Sequence, residues 1–199
     1  MNEQNLKDDL LRYLQDGRDA LLWKLEGLSE YDIRRPMTPT GTNLLGLVKH
    51  SAGVELGYFG DTFGRPFFDG PVPRWWYTEN TEDNDDMWAF ADESKEEIVG
   101  LYRSAWEHTG RTVADLSLES TGRVPWWPEE RCETTLHHLL VRVTADVSRH
   151  AGHADILREL IDGSTGWVLG NDSMPDGDRA WWESHRERLE RVAREADAG

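Results

Sequence analysis

Residues 133–162 constrain the chain most. Leu136, Leu139, Leu140, Val143, Val147, Ile156 and Leu160 recur there at the three- and four-residue spacing of one helix face, and Gly163 supplies a stop signal. So long a helix needs others beside it, and the sequence offers three. Leu6, Leu10, Tyr13, Leu14, Leu21 and Leu25 mark a first helix over 4–27, ended by Gly27. Leu44, Leu47, Val48, His50, Val54 and Tyr58 mark a second over 43–60, capped by Thr42 or Asn43. Ile98, Leu101, Ala105 and Trp106 mark a third over 92–114, with Ser94 and Glu97 in capping-box spacing. A charged segment at 177–197 predicts one helix more, and no run reads as a strand. The expected fold is all-α: a four-helix bundle with an additional C-terminal helix. The whole of 1–199 reads as a single domain, with its bundle core over 4–163.

The connections carry their own signals. Residues 34–43 are rich in helix breakers, and Ser29 or Asp32 starts a turn before them. Residues 61–86 make a long link through Gly64, Pro66, Gly70, Pro71 and Pro73 into an acidic run from Glu79 to Asp86. A link of that length in a compact domain is usually functional or mobile. A further loop holds Gly122, Pro125 and Pro128. Of ten tryptophans, two pairs, Trp75-Trp76 and Trp126-Trp127, fall in these loops beside Pro and Arg. They read either as core aromatics or as the walls of an apolar cleft.

Charge excludes two classes of partner. With 38 acidic and 22 basic side chains the net charge is −16, which repels phosphate backbones and anionic lipid. No compact basic patch offsets this, so neither nucleic acid nor membrane is expected as a partner. No apolar run approaches the roughly 20 residues that span a bilayer. The N-terminus lacks the basic start and apolar stretch of a signal peptide. The single Cys132 cannot form an internal disulfide. The expected compartment is the cytoplasm. Pairing into a homodimer through an exposed aromatic face is left open.

The chemistry gathers on the last long helix. Asp146 and His150 are four apart and project from one face on successive turns, a spacing at which two side chains grip one metal ion. His153 lies near the same face. A further ligand must come from another helix, and His50 is the candidate because it sits in an apolar run, Leu-Leu-Gly-Leu-Val-Lys-His-Ser-Ala. By spacing alone, each histidine also reads as a hydrogen-bonded core residue, and His137-His138 is an alternative pair. His108 and His185 have polar neighbours and read as surface groups.

Three stretches resemble a known family: Arg35-Pro-Met-Thr-Pro-Thr-Gly-Thr-Asn-Leu-Leu-Gly-Leu-Val-Lys-His50, Tyr58-Phe-Gly-Asp-Thr-Phe-Gly-Arg-Pro66, and Arg149-His-Ala-Gly-His-Ala-Asp-Ile-Leu-Arg-Glu159. They are similar to the DUF664 branch of the DinB-like superfamily, over roughly residues 8 to 165. That superfamily includes mycothiol-dependent maleylpyruvate isomerase and the bacillithiol transferases. The resemblance implies a DinB-like four-helix bundle with a metal held by one His of the second helix and two residues a turn apart on the last. His50 and His150 match two of those positions. Asp146 stands where relatives carry His or Glu; being a methylene shorter than Glu, it puts the third ligand in question, with His153 as the alternative.

Two His and one carboxylate leave coordination positions open for water or substrate, the catalytic arrangement for zinc. Nickel, iron or manganese suit the same set. A thiol held there loses its proton and becomes nucleophilic. The resemblance thus implies a transferase or isomerase joining a low-molecular-weight thiol, mycothiol in the first instance, to a small-molecule electrophile. The alternatives are a non-catalytic metal- or small-molecule-binding bundle and a metal-dependent hydrolase. Cys132, flanked by Glu129, Glu130 and Glu133, is disfavoured as the nucleophile, and no catalytic side chain is assigned.

Overall fold

A computed structural model describes residues 2–68, 71–76, 81–170 and 174–198. Four long helices form the bundle: α1 (Glu3–Trp23), α3 (Leu44–Phe59), α4 (Lys95–Asp115) and α5 (Leu136–Asp162). Between the first two lies a short α2 (Glu30–Arg34), and α6 (Arg179–Asp197) follows the bundle. α3 packs against both α4 and α5, and α1 packs against α5. The reason is visible in α3, where only His50 among its residues is not fully buried. A helix apolar on all sides must sit inside the bundle.

The caps match the sequence signals. The Asn43 side chain accepts the Gly46 N–H at 2.8 Å, so Asn43 rather than Thr42 opens α3. Ser94 and Glu97 complete a reciprocal capping box on α4. Gly163 closes α5 in the left-handed conformation at φ 78°. Arg158 closes the end of α1 from across the bundle, its Nη1 donating to the carbonyls of Lys24 at 3.0 Å and Glu26 at 2.8 Å.

Three expectations need correction. First, α5 begins at Leu136, because residues before it pair as a strand. β1 (Thr121–Arg123) and β2 (Glu133–Thr135) form an antiparallel ribbon with Thr121 opposite Thr135. Thr134 and Thr135 are β-branched and favour the extended backbone, and Thr135 then caps α5 by accepting from His138 N–H at 3.2 Å. Second, Ile156 and Leu160 are 61% and 66% exposed; Ala151, Ala154 and Leu157 face the core at that end instead. Third, His108 is buried, and its Nε2 donates to the Arg65 carbonyl at 2.8 Å. Burial pushes its pKa below the usual histidine value. Of the two readings left open for Trp75 and Trp76, both residues fall in the core cluster. Among the described residues, no helix is long and apolar enough to cross a membrane. Glu79, the start of the acidic run, lies outside the described residues.

Candidate metal centre

Two rows of side chains face each other across the α3–α5 seam. On α3 they are His50, Val54 and Tyr58; on α5 they are Arg142, Asp146 and His150. Both rows follow the four-residue helical repeat. His50 meets Asp146 and His150, while Tyr58 meets Arg142, so the rows run in opposite directions.

At one rung, three ligand atoms converge. His50 Nε2 lies 3.9 Å from Asp146 Oδ2, and His150 Nε2 lies 3.6 Å from the same oxygen. The two imidazole rings meet edge-on with centroids 4.9 Å apart. One donor atom from each of the three residues lies within 4.8 Å of the others. Donors at about 2.1 Å from a tetrahedral ion sit about 3.4 Å apart, so this spacing is close to that of a ligand set. The decisive atom is Asp146 Oδ2: it is buried and has no hydrogen-bond partner. A shielded carboxylate oxygen without a donor is costly, and a cation at this point would offset that cost. His153 stands outside this group, exposed, with its ring edge-on to His150 at 5.6 Å.

Electrostatics prepares the two histidines differently. Burial first, then the neighbouring His50, holds the His150 pKa down at about 4, so its ring is neutral at pH 7. Neutral imidazole is the form that ligates metals. His50 is oriented from behind by a residue that sequence reasoning did not single out. Its Nδ1 lies 2.6 Å from Asp86 Oδ2, and Asp86 is itself buried. Asp86 sits in a 3-10 turn (Asp85–Met87) that docks on the start of α3, where Asn43 Nδ2 donates to the Met87 carbonyl at 3.2 Å.

The next rung forms the wall of an access cleft. A cavity of about 220 Å³ is lined by His50, Val54, Tyr58, Trp126, Arg142 and Asp146. Arg142 also lines a neighbouring cavity of about 540 Å³, together with Trp127, Arg131, Glu133, Thr134 and His138. Tyr58 Oη accepts from both Trp127 Nε1 and Arg142 Nε, each at 3.2 Å. Trp126 packs edge-on to Tyr58 at 5.1 Å between centroids. Gly57 permits this approach, since a Cβ there would come within 2.7 Å of the Trp126 ring. Trp126 thus lines the smaller cavity and Trp127 the larger. The ribbon of β1 and β2 brackets the loop that carries them. Cys132 is buried, with its thiol 3.1 Å from the Glu129 carbonyl, and takes no part in the His/Asp cluster.

Long helices around a His/Asp/His cluster, with an aromatic-walled cleft beside it, define a DinB-like helical bundle with a candidate metal centre. The chain belongs to the mycothiol-S-transferase family, whose model matches residues 9–163. That match covers the four bundle helices apart from the first turns of α1, and leaves α6 outside it. No curated protein matches the chain in a sequence comparison.

Proposed function

We propose that the protein is a metal-dependent S-transferase that joins the thiol of mycothiol to a small electrophile in the cleft beside His50, Asp146 and His150. The observation that carries the reading is the buried Asp146 Oδ2, without a hydrogen-bond donor, between the Nε2 atoms of two histidines. Family membership supports thiol-transferase chemistry in general. His50, Asp146 and His150 would hold a divalent ion, zinc foremost, which would lower the pKa of a thiol and keep its sulfur in the nucleophilic form. The side chains provide the rest. Asp146 contributes the carboxylate of the ligand set, and neutral His150 completes it together with His50. Trp126 and Tyr58 give the cleft an apolar wall that holds an electrophile and limits water. In the transfer, the sulfur forms a bond to the electrophilic carbon. The thiol proton goes to solvent in a substitution, where the leaving group departs with the bonding pair, or to the adjacent carbon in an addition.

The test has two stages. Elemental analysis of purified protein should give near-stoichiometric metal that falls sharply in His50→Ala, His150→Ala and Asp146→Ala. Wild-type protein should then conjugate N-ethylmaleimide with mycothiol faster than the uncatalysed reaction, and chelation should abolish the excess rate. Absence of metal after incubation with zinc or nickel would sink the reading. Metal retained in Asp146→Ala alone would move the third position to His153 or water.

A further inference from the structure

The second rung holds a charged group that the proposed transfer does not use. Arg142 lies one helical turn from Asp146, about 6 Å along the axis. Its Nε is spent on Tyr58 Oη, which fixes the plane of the guanidinium. The Trp127 ring lies 5.1 Å from its Cζ and the Tyr58 ring 5.7 Å, so aromatic faces hold it on two sides. Arg18, Arg34, Arg65 and Arg158 each meet a carboxylate within the chain. Among the described residues, no carboxylate forms a salt bridge with Arg142, although acidic side chains far outnumber basic ones. It is exposed and lines both cavities. A guanidinium that is oriented, flanked by aromatics and without a salt bridge of its own, although Asp146 and Glu133 line the same two cavities, has its outer edge open to a planar anion.

We propose that Arg142 is a carboxylate subsite: it holds the carboxylate of one reactant so that the sulfur or electrophilic carbon of the same molecule, about 6 Å away, reaches His50, Asp146 and His150. In the outer cavity Arg131 and Glu133 offset each other, whereas in the inner one Asp146 turns its Oδ2 to the two histidines and leaves Arg142 as the cation facing the space. Arg142 therefore decides whether an anion is accepted next to the ligand cluster. This deepens the transferase reading and relies on it only for which end of the molecule points at the metal centre.

The experiment uses an unreactive pair of probes, 3-succinimidopropionate and neutral N-ethylsuccinimide, titrated into zinc-loaded full-length protein by NMR. Wild type should bind the carboxylated probe more tightly than the neutral one. Arg142→Gln should weaken the carboxylated probe about tenfold or more and leave the neutral probe unchanged. Arg142→Lys should retain part of the preference, as a point charge without the planar fork. The preference should persist after chelation. Equal affinity or no binding in wild type, an undiminished preference in Arg142→Gln, or a preference that vanishes on chelation would each overturn the subsite; the last would place the carboxylate on the metal. Competition of the acidic probe against the electrophile or against the thiol identifies which reactant carries the carboxylate, and either result upholds the subsite. Failure of wild type to turn over N-ethylmaleimide with mycothiol while the preference survives would remove the transferase reading and leave the subsite standing.

Discussion

His50 donates its Nδ1–H to Asp86 Oδ2 across 2.6 Å, and this bond aims Nε2 at Asp146. An ionised carboxylate only accepts, so the proton belongs on Nδ1 and the Nε2 lone pair is left for a cation. Asp86→Asn should therefore weaken zinc binding by about tenfold to a hundredfold, because an amide tolerates the wrong tautomer. Competition with a chromogenic chelator measures this, and Asp86→Glu should recover part of the loss. Unchanged affinity in Asp86→Asn would mean that the contact does not orient the ligand.

Gly46 controls where Asp86 stands. A Cβ at Gly46 would overlap the Met87 carbonyl, which is backbone and cannot rotate away. The 3-10 turn at Asp85–Met87 lies on α3 only because that position is bare. Gly46→Ala should lower unfolding free energy by about 1–3 kcal/mol, an overpacking cost, and should weaken zinc binding with it. Gly100→Ala is the control: it lies on α4 with open space around a Cβ, and higher helix propensity should stabilise it by about 1 kcal/mol or less. Urea unfolding distinguishes the two, and a Gly46→Ala protein of wild-type stability would contradict the docking argument.

The helices were legible because their signals are local. Asn43, Ser94 and Gly163 mark ends by chemistry within a few residues, and Leu136 to Val147 mark a buried face by periodicity. The Asp146–His150 spacing and the apolar setting of His50 were legible for the same reason. What could not be read depends on distant parts of the chain. Asp86 reaches His50 from a loop 36 residues away, with an acidic run around it that masks the one residue that matters. Arg142 carried a usable signal, its four-residue offset from Asp146, but its partner Tyr58 lies 84 residues off. Trp75 and Trp76 look like cleft residues by their Pro and Arg neighbours, yet the loop folds inward and places Trp75 near the buried Lys49 ammonium, 5.0 Å from its ring centre. His108 reads as polar from its neighbours in sequence, but α4 turns it inward onto Arg65.

The charged pair at the bundle centre makes a prediction about stability rather than chemistry. Arg18 Nε donates to Glu55 Oε1 at 2.9 Å, Arg18 Nη2 reaches Oε2, and Thr109 Oγ1 donates to Oε2 at 2.9 Å, all out of contact with solvent. Glu55→Gln leaves the Arg18 charge buried without its counter-charge and should cost about 3–5 kcal/mol. Replacing both partners, Arg18→Met with Glu55→Leu, should recover most of that loss, since two apolar groups carry no desolvation penalty. Denaturant midpoints for the single and double variants measure it. A double variant no more stable than Glu55→Gln would show that the pair contributes more than charge balance.

Asp162 should make stability depend on pH in acid. Arg158 grips its carboxylate with Nε and Nη2, the latter at 2.7 Å, and this holds the Asp162 pKa down at about 2, against an ordinary value of 3.8. A folded pKa below the unfolded one means the stabilisation is complete above about pH 4 and is lost as pH falls through 2. The side chain is 34% exposed, so solvent limits the effect to about 1 kcal/mol or less. Its consequence reaches further than the pair, because the same guanidinium holds the carbonyls that end α1. Asp162→Asn should lower the urea midpoint at pH 7, with the gap from wild type closing between pH 4 and pH 2. A gap that stays constant over that range would mean that the Asp162 side chain acts through α5 capping, where it also accepts the Ser164 N–H at 3.0 Å, and not through its charge.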